Sequence, residues 1–229
     1  LEYIIQNLVR HGIKEIILLC GYNSSKIFKR FHKKKILGST IKCVKENKVL
    51  GTGGAIINAK KNLNQYFIVC NGDTYFDFNI SNFIKEFNKK FHGSIATTKI
   101  KNNSRYAKLQ IKNELINKIG KNLKSSYINT GYYIFSKNIF SKLKIKYSSL
   151  EDEIIQKLVL EKKLQAFKCE SKNNFFLDIG VPRDFEKAKY LVPKQFKKKA
   201  VFLDRDGVIN KDLGYLIEKN NFFWNKGVK

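Results

Sequence analysis

Asp73 is the first residue whose surroundings indicate chemistry. An apolar run, residues 67–70, breaks abruptly into Asn71, Gly72 and Asp73. A short apolar run bounded by a turn signal is typical of a strand buried on both faces of a parallel sheet, and ligands bind beyond the carboxyl ends of such strands. A carboxylate there suits Mg²⁺ carrying a polyphosphate, although an Asx turn or a helix cap is the commoner use of aspartate after a strand.

A glycine-rich turn, residues 48–55, precedes this strand. Gly51, Thr52, Gly53 and Gly54 lead directly into a helical pattern. We therefore expect exposed backbone N–H groups at a helix N-terminus, a geometry that binds anions and nucleotides. A glycine-rich turn alone is weak evidence, but its combination with the Asn-Gly-Asp strand end is much more specific.

Together, residues 51–55 (GTGGA) and 71–73 (NGD) resemble the sugar-1-phosphate nucleotidyltransferases, and the resemblance extends over residues 1–192. It implies a Rossmann-like, GT-A-like three-layer α/β/α domain with a mixed, mostly parallel sheet. It also implies that the domain joins a sugar 1-phosphate to a nucleoside triphosphate with Mg²⁺ and releases pyrophosphate. The heptose members of the family favour GTP and D-glycero-D-manno-heptose 1-phosphate, although ATP serves in a related pathway and the base stays open.

The resemblance also assigns roles to residues of the second half of this domain. Asn129 and Gly131, in a strand over residues 128–135, would face the sugar; the alternative is a buried edge strand with a bulge at Gly131. Lys121 would contact the sugar phosphate, but Gly120 stands where the family commonly has an acidic residue. An ordinary surface lysine is the alternative.

Two acidic residues further along match family positions. Glu151 would lie near the sugar hydroxyls, but it also falls in the acidic first turn of a helix predicted over residues 149–160, where the helix dipole alone would explain it. Asp178 follows an apolar run and precedes Pro182, and the resemblance makes it the second metal ligand. Asp73 and Asp178 would then hold one Mg²⁺ against the α-phosphate while the sugar phosphate attacks in line.

A second motif follows a basic linker, residues 193–199. Residues 202–210, FLDRDGVIN, resemble the first motif of the haloacid-dehalogenase-like (HAD-like) phosphatases, and residues 211–215 resemble the heptose bisphosphate and histidinol-phosphate phosphatase branch. The resemblance implies a strand over residues 200–203, attack on phosphorus by Asp204, proton donation by Asp206, and a metal at both carboxylates. Residues 200–229 would then be an incomplete phosphatase domain that leaves its aromatic side chains exposed.

The elements that must position these residues alternate in type. A helix that stops at Gly12, a strand, a second helix and a second strand precede the glycine turn, and this alternation is typical of a parallel three-layer sheet with right-handed crossovers. Residues 104–120 read as a hairpin laid over the sheet. The predicted segments are helices over 2–11, 24–31 and 79–91, and strands over 15–20, 40–46, 65–70, 93–99 and 164–169.

Composition argues against several protein classes. The net charge is +26, but lysine supplies 40 of the 45 cations and is spread along every segment, whereas nucleic-acid readers favour arginine gathered on one face. The four cysteines show no zinc spacing, so buried thiols in a reducing cytoplasm fit best. The sequence shows neither a signal peptide nor a long apolar stretch, so we do not expect membrane insertion.

The sequence contains no methionine, even at position 1. We therefore expect a fragment that lacks the family's first strand and signature loop and is inactive by itself. Its parent would be a fused enzyme that forms heptose 1-phosphate from the 1,7-bisphosphate and activates it for surface polysaccharide such as lipopolysaccharide. A homo-oligomer is compatible with the sequence. The alternatives are a metal-dependent glycosyltransferase that uses a nucleotide sugar, and a non-catalytic basic module that binds nucleic acid.

Overall fold

The structure, a computed structural model, describes residues 1–100, 104–141, 143–171, 173–197, 202–214 and 218–228. The chain divides into two compact units, Leu1–Pro193 and Lys194–Lys229. The helices are α1 (Glu2–Arg10), α2 (Ser24–Phe31), α3 (Gly51–Asn58), α4 (Ile80–Lys85), α5 (Asn138–Ser141), α6 (Gln156–Leu160) and α7 (Pro182–Phe196), with a π-helical segment at Leu150–Ile155 and 3₁₀ turns at Lys60–Asn62 and Lys219–Asn221. The strands are β1 (Glu15–Cys20), β2 (Lys35–Ile36), β3 (Ser39–Lys45), β4 (Tyr66–Cys70), β5 (Thr74–Asp77), β6 (Gly93–Lys99), β7 (Lys108–Lys112), β8 (Leu115–Gly120), β9 (Tyr127–Ser136), β10 (Leu164–Lys168) and β11 (Phe175–Asp178).

The first elements form as their patterns predict. Helix α1 buries Ile4, Ile5 and Leu8 along one face because residues three and four apart share a helix face. Gly12 follows it with a φ of 84°, a conformation that costs glycine little. Three of the four cysteines are buried and all four are free thiols. Among the described residues, no helix has both the length and the apolar composition needed to span a bilayer.

Strand pairing differs from the predicted, mostly parallel sheet. Only β1 with β3 and β6 with β10 pair in parallel in the described part of the chain. A three-stranded sheet has the order β1-β3-β2, a six-stranded sheet has the order β4-β9-β6-β10-β8-β7, and β5 pairs with β11. The pairing is mixed, as predicted, but the expectation of mostly parallel pairing is wrong. Strand β9 is not reached through a crossover helix, as a parallel neighbour would require, and it runs antiparallel to both β4 and β6.

Strand β4 is not the doubly covered parallel strand that its apolar sequence predicts. It pairs only with β9, in antiparallel register, and its last four residues are only partly buried. Apolar composition alone cannot distinguish a central strand from the edge strand of a sheet, because both can pack hydrophobic side chains on a covering layer. The turn after β4 still leads into β5, as the site requires.

Both faces of strand β9 pack against buried side chains of the core. Tyr133 and Phe135 stack at a ring distance of 5.5 Å and join a cluster formed with α3, α5, α6 and the π-helical segment. Tyr132 points to the other face, where it meets Phe76 and Phe78 of the β5 segment at 6.0 and 5.5 Å. Helices cover one face of the six-stranded sheet, and the β5–β11 ribbon with α4 covers the other. The first unit therefore has three layers.

The glycines before β4 form the first turn of α3 instead of a loop. The backbone N–H groups of Gly53 and Gly54 both donate to the carbonyl of Ser148, at 2.8 and 3.2 Å, so these two amides are not exposed for an anion as predicted. A Cβ at Gly54 would lie 2.4 Å from the carbonyl oxygen of Lys146. Glycine is therefore needed here for close packing of α3 against residues 146–148.

The second unit forms no extended strand in its described residues. Phe202 is 94% exposed and Leu203 is 65% exposed, so the predicted strand is wrong at these two positions, and residues 200 and 201 lie outside the described residues. Without neighbouring strands, a single strand gains neither hydrogen bonds nor burial. Phe223 and Trp224 are about half exposed, at 51% and 48%, as expected for an isolated segment.

Replacing Gly54 by alanine should destabilise the first unit. The new methyl group would overlap the Lys146 carbonyl, and such overpacking costs about 1–3 kcal/mol of unfolding free energy. Gly120→Ala is the control, because its Cβ would approach only Leu123, at 4.0 Å. Urea denaturation should show a lower midpoint for Gly54→Ala alone, and equal midpoints would contradict the packing argument.

Candidate active site

Antiparallel pairing of β5 with β11 brings Asp73 and Asp178 together. Thr74 lies opposite Asp178 in the register, and the backbone N–H of Ile179 donates to the carbonyl of Asp73 at 2.9 Å. The carboxylate of Asp73 is exposed, whereas the residue Asp178 is partly buried. Two side chains that lie more than a hundred positions apart in the chain therefore reach the same end of one ribbon.

The two carboxylates face a common volume beside Gly180. A Cβ placed on Gly180 would lie 3.0 Å from Asp178 Oδ1 and 3.9 Å from Asp73 Oδ2. No three histidine, cysteine or acidic side chains of the described residues form a complete metal cage. A pair of carboxylates nevertheless fits Mg²⁺, which is usually bound by one or two carboxylates with the remaining ligands from water and substrate phosphates.

Arg105 binds Asp178 and the nearby Asp184, and it was not predicted as a site residue. Its Nη2 lies 3.0 Å from Asp178 Oδ2, and its Nη1 lies 2.6 Å from Asp184 Oδ2 at the start of α7. The other oxygen of Asp178, Oδ1, accepts a hydrogen bond from the backbone N–H of Gly180 at 2.8 Å. The hydrogen bond from Arg105 lowers the pKa of Asp184 below its usual value.

A small polar pocket of about 70 Å³ opens beside Asp178. Its described lining combines carboxylates, amides and aromatic rings without a lysine or arginine, so it offers hydrogen-bond acceptors and flat apolar faces but no positive charge. Such a lining suits a polyhydroxylated group. The lining residues are Asn71, Thr74, Tyr106, Asn129, Thr130, Gly131, Tyr133, Glu151, Phe176 and Asp178.

Strand β9 supplies one wall of the pocket. Asn129 donates through Nδ2 to the hydroxyl of Tyr133 at 2.9 Å, and that hydroxyl lies 3.5 Å from Glu151 Oε1. Burial raises the pKa of Tyr133 well above its ordinary value, so its hydroxyl stays protonated. Gly131 has a φ of 77°, and a Cβ there would lie 2.5 Å from the Asn71 amide nitrogen.

The register of β9 shifts opposite β6, between Ile95 and Thr97. Bulges of this kind redirect side chains toward a site, and the alternative prediction of a bulge at Gly131 is correct in this respect. β9 lies between β4 and β6, however, so it is not an edge strand. Both features are compatible with a lining role for Asn129 and Gly131.

Glu151 lies in the first turn of the π-helical segment. Ser149 caps this segment by accepting the backbone N–H of Asp152 at 3.1 Å, as its sequence pattern predicts. Thr52 Oγ1 donates to Glu151 Oε2 at 3.3 Å and accepts from the backbone N–H of Leu150 at 2.9 Å. Thr52 therefore connects the start of α3 to the pocket through Glu151.

The structure does not bring every predicted residue to the pocket. Lys121 lies in the turn after β8 and is exposed, and it is not among the described lining residues. Gly51 packs against the carbonyl of Ser148, which a Cβ would approach to 2.6 Å. The predicted contact of Lys121 with phosphate and the predicted contact of residues 51–54 with nucleotide remain predictions.

Asp204 and Asp206 belong to the second unit. Asp204 Oδ1 accepts the backbone N–H of Arg205 at 2.9 Å. Asp206 accepts hydrogen bonds from the guanidinium of Arg205 and from Asn210 Nδ2, all at 2.9 Å, and the hydrogen bond from Arg205 lowers its pKa. These contacts favour the charged carboxylate, whereas a proton donor needs the neutral form. The phosphatase role remains a prediction.

Comparison with known sequences places most of the chain in one family. A family model described as nucleotidyl transferase matches residues 1–195. The chain is 33% identical over 188 residues to the D-glycero-alpha-D-manno-heptose 1-phosphate guanylyltransferase of Campylobacter jejuni, with 81% of the chain and 82% of that protein covered. It is 30% identical to the mannose-1-phosphate guanyltransferase beta-A of Xenopus laevis, covering 79% of the chain but only 52% of that relative.

Comparison with solved structures agrees with the sequence match. HddC from Yersinia pseudotuberculosis, solved in complex with GMP-PN, superimposes with a TM-score of 0.70 at 32% identity, with 81% of each chain covered. A putative glucose-1-phosphate thymidylyltransferase from Bacillus anthracis has a TM-score of 0.72 at 19% identity, which shows a shared fold. Because a family model matches residues 1–195, this chain belongs to the nucleotidyl transferase family.

Proposed function

We propose that this protein transfers a nucleotidyl group from a nucleoside triphosphate to a sugar 1-phosphate and releases pyrophosphate. The observation that carries the proposal is the pair Asp73 and Asp178, which face one volume. This volume lies beside a polar pocket whose described lining contains carboxylates and no basic side chain. A cation site next to a polyol site is the arrangement that this reaction needs, because the attacking phosphate and the triphosphate must meet where their charge is neutralised.

The names of two relatives support the choice of substrates. The Campylobacter relative is a heptose 1-phosphate guanylyltransferase, and the Yersinia structure contains GMP-PN. We therefore propose GTP as the nucleotide and D-glycero-D-manno-heptose 1-phosphate as the acceptor. A hexose 1-phosphate is the alternative acceptor, because the Xenopus relative is named for mannose 1-phosphate.

The residues of the site divide into two groups by chemistry. Asn129, Glu151 and the Tyr133 hydroxyl would bind sugar hydroxyls through hydrogen bonds, since all three contribute polar atoms to the pocket or to its wall. Asp73 and Asp178 would hold Mg²⁺, which when bound offsets the charge of the phosphate oxygens. The chain itself contributes orientation, because the β5–β11 register and the Gly180 amide fix the carboxylate of Asp178.

In the fused parent enzyme expected from the sequence, neutralising either carboxylate should abolish Mg²⁺-dependent turnover without unfolding the protein. Asp73→Asn and Asp178→Asn each remove a charge that metal binding needs, and metal stabilisation of a transition state is worth several kcal/mol, so the rate should fall by about 100-fold or more. Pyrophosphate release from GTP and heptose 1-phosphate is the measurement. Glu186→Gln is the control, because Glu186 is an exposed acid that pairs with Lys189 on α7.

The same assay separates the alternatives. Near-normal rates in Asp73→Asn or Asp178→Asn would refute the metal assignment, and transfer from a ready-made nucleotide sugar without pyrophosphate release would indicate a glycosyltransferase. Steeply salt-dependent binding of DNA or RNA without nucleotide preference would indicate a nucleic-acid module. Pyrophosphate release by the 229-residue chain alone would contradict only the expectation that it is inactive by itself.

Tyr133→Phe should weaken the binding of a sugar 1-phosphate by about 3- to 10-fold, because it removes a hydroxyl that orients Asn129 and a hydrogen bond contributes about 0.5–1.5 kcal/mol. The ring and its packing are kept, so the fold should be unaffected. Calorimetric titration with sugar 1-phosphate and, separately, with GTP is the measurement, and the affinity for GTP should not change. Tyr190→Phe is the control, because Tyr190 is 72% exposed on α7; equal sugar affinities in all three proteins would contradict the prediction.

A further inference from the structure

Arg105 stands out because this chain uses lysine for nearly every cation. It has five arginines against 40 lysines, and one of the five lies between the carboxylates of Asp178 and Asp184. A guanidinium can bind two acceptors at once through its planar fork, which an ammonium on a flexible stem does poorly. Arg105 therefore uses the planar, two-acceptor fork that lysine lacks.

The two oxygens of Asp178 have different partners, and Oδ1 accepts a hydrogen bond from the backbone N–H of Gly180 at 2.8 Å. Oδ2 is bound by Arg105 at 3.0 Å, whereas Oδ1 faces the volume shared with Asp73. The side chain of Arg105 is 41% exposed and that of Asp178 is 22% exposed. A divalent cation bound at Oδ1 would thus sit a few ångströms from a fixed positive charge, and that repulsion would be only partly screened by solvent.

Arg105 also connects Asp178 to the pocket wall. Its guanidinium lies 5.5 Å from the ring centre of Tyr106, and Tyr106 lines the pocket and meets the ring of Phe176 at 5.5 Å. The short turn that carries Arg105 is consequently held at three points: by β11, by α7 and by the aromatic wall. These contacts keep the positive charge in place when Asp178 has no other cation.

We propose that Arg105 is the counter-ion of Asp178, and that it makes the Asp73–Asp178 site bind a divalent cation together with a polyphosphate in preference to the cation alone. The proposal rests on the proposed function, since it takes the two aspartates as metal ligands. Without ligand, Arg105 offsets the negative charge of Asp178 and opposes a free dication. A polyphosphate brings negative charge that neutralises both the dication and Arg105.

The test is the affinity of the protein for Mn²⁺ alone, measured by the loss of the free Mn²⁺ signal in electron paramagnetic resonance. Arg105→Gln should bind Mn²⁺ about 3- to 10-fold more tightly than the unmodified protein, because a unit positive charge near the dication is removed. Arg105→Lys should bind Mn²⁺ less tightly than Arg105→Gln, since it keeps the positive charge although it loses the planar fork. Arg30→Gln is the matched control, because Arg30 pairs with Glu2 on the surface and neither residue lines the described pocket.

A second titration tests the role of the polyphosphate. Calorimetry with the preformed Mg²⁺–GTP complex should show no gain in affinity for Arg105→Gln, and an equal gain for the complex and for Mn²⁺ alone would overturn the preference. Unchanged or weaker Mn²⁺ binding in Arg105→Gln would overturn the counter-ion role, as would tightening in Arg105→Lys to the same degree.

The variant Asp178→Asn separates the metal assignment from the role of Arg105. If it weakens Mn²⁺ binding while Arg105→Gln has no effect, the metal assignment stands and only the role of Arg105 is refuted. If Asp178→Asn has no effect, or neither the unmodified protein nor Arg105→Gln binds Mn²⁺, the metal assignment of the proposed function fails and the role of Arg105 fails with it.

Discussion

The register between β5 and β11 is the constraint on which the candidate site depends. Thr74 pairs with Asp178, and a shift of one residue would turn the Asp178 side chain to the opposite face of the ribbon. Packing fixes this register, because Phe76 is fully buried and meets Phe176 at 5.6 Å. A long-range hydrogen bond from Asn7 to the Phe76 carbonyl, 3.0 Å long, ties the ribbon to α1 as well.

The net charge of the whole chain and the charges that line the pocket have opposite signs. A net charge of +26 creates a long-range field that attracts anionic substrates from solution. The pocket, by contrast, has carboxylates and amides among its described lining residues and no basic side chain. Under the proposed function, the lysine-rich surface would attract phosphates and the pocket would select its acceptor through hydroxyl groups. The only cation that contacts the pocket carboxylate Asp178 in the described structure is Arg105.

Much of the local structure follows from the sequence, whereas the pairing does not. Helical spacing predicts α1, and the family resemblance predicts that Asp73 and Asp178 meet, as they do. Apolar runs do not encode the direction of the neighbouring strand, so the edge position of β4 was missed. The Gly54 contact and the Arg105 bridge depend on residues far away in the chain, and no local pattern marks them; a clue to Arg105 was the rarity of arginine in this chain.

Strand β9 limits how such a pocket can diversify. Tyr133 lines the pocket and is also a fully buried member of the core cluster, so a change of acceptor preference made through this strand would alter packing and recognition together. The turn that carries Tyr106 is more exposed and reaches the same pocket. Evolution or engineering toward a new acceptor would therefore change Tyr106 more readily than β9, provided that the neighbouring Arg105 keeps its ion pairs.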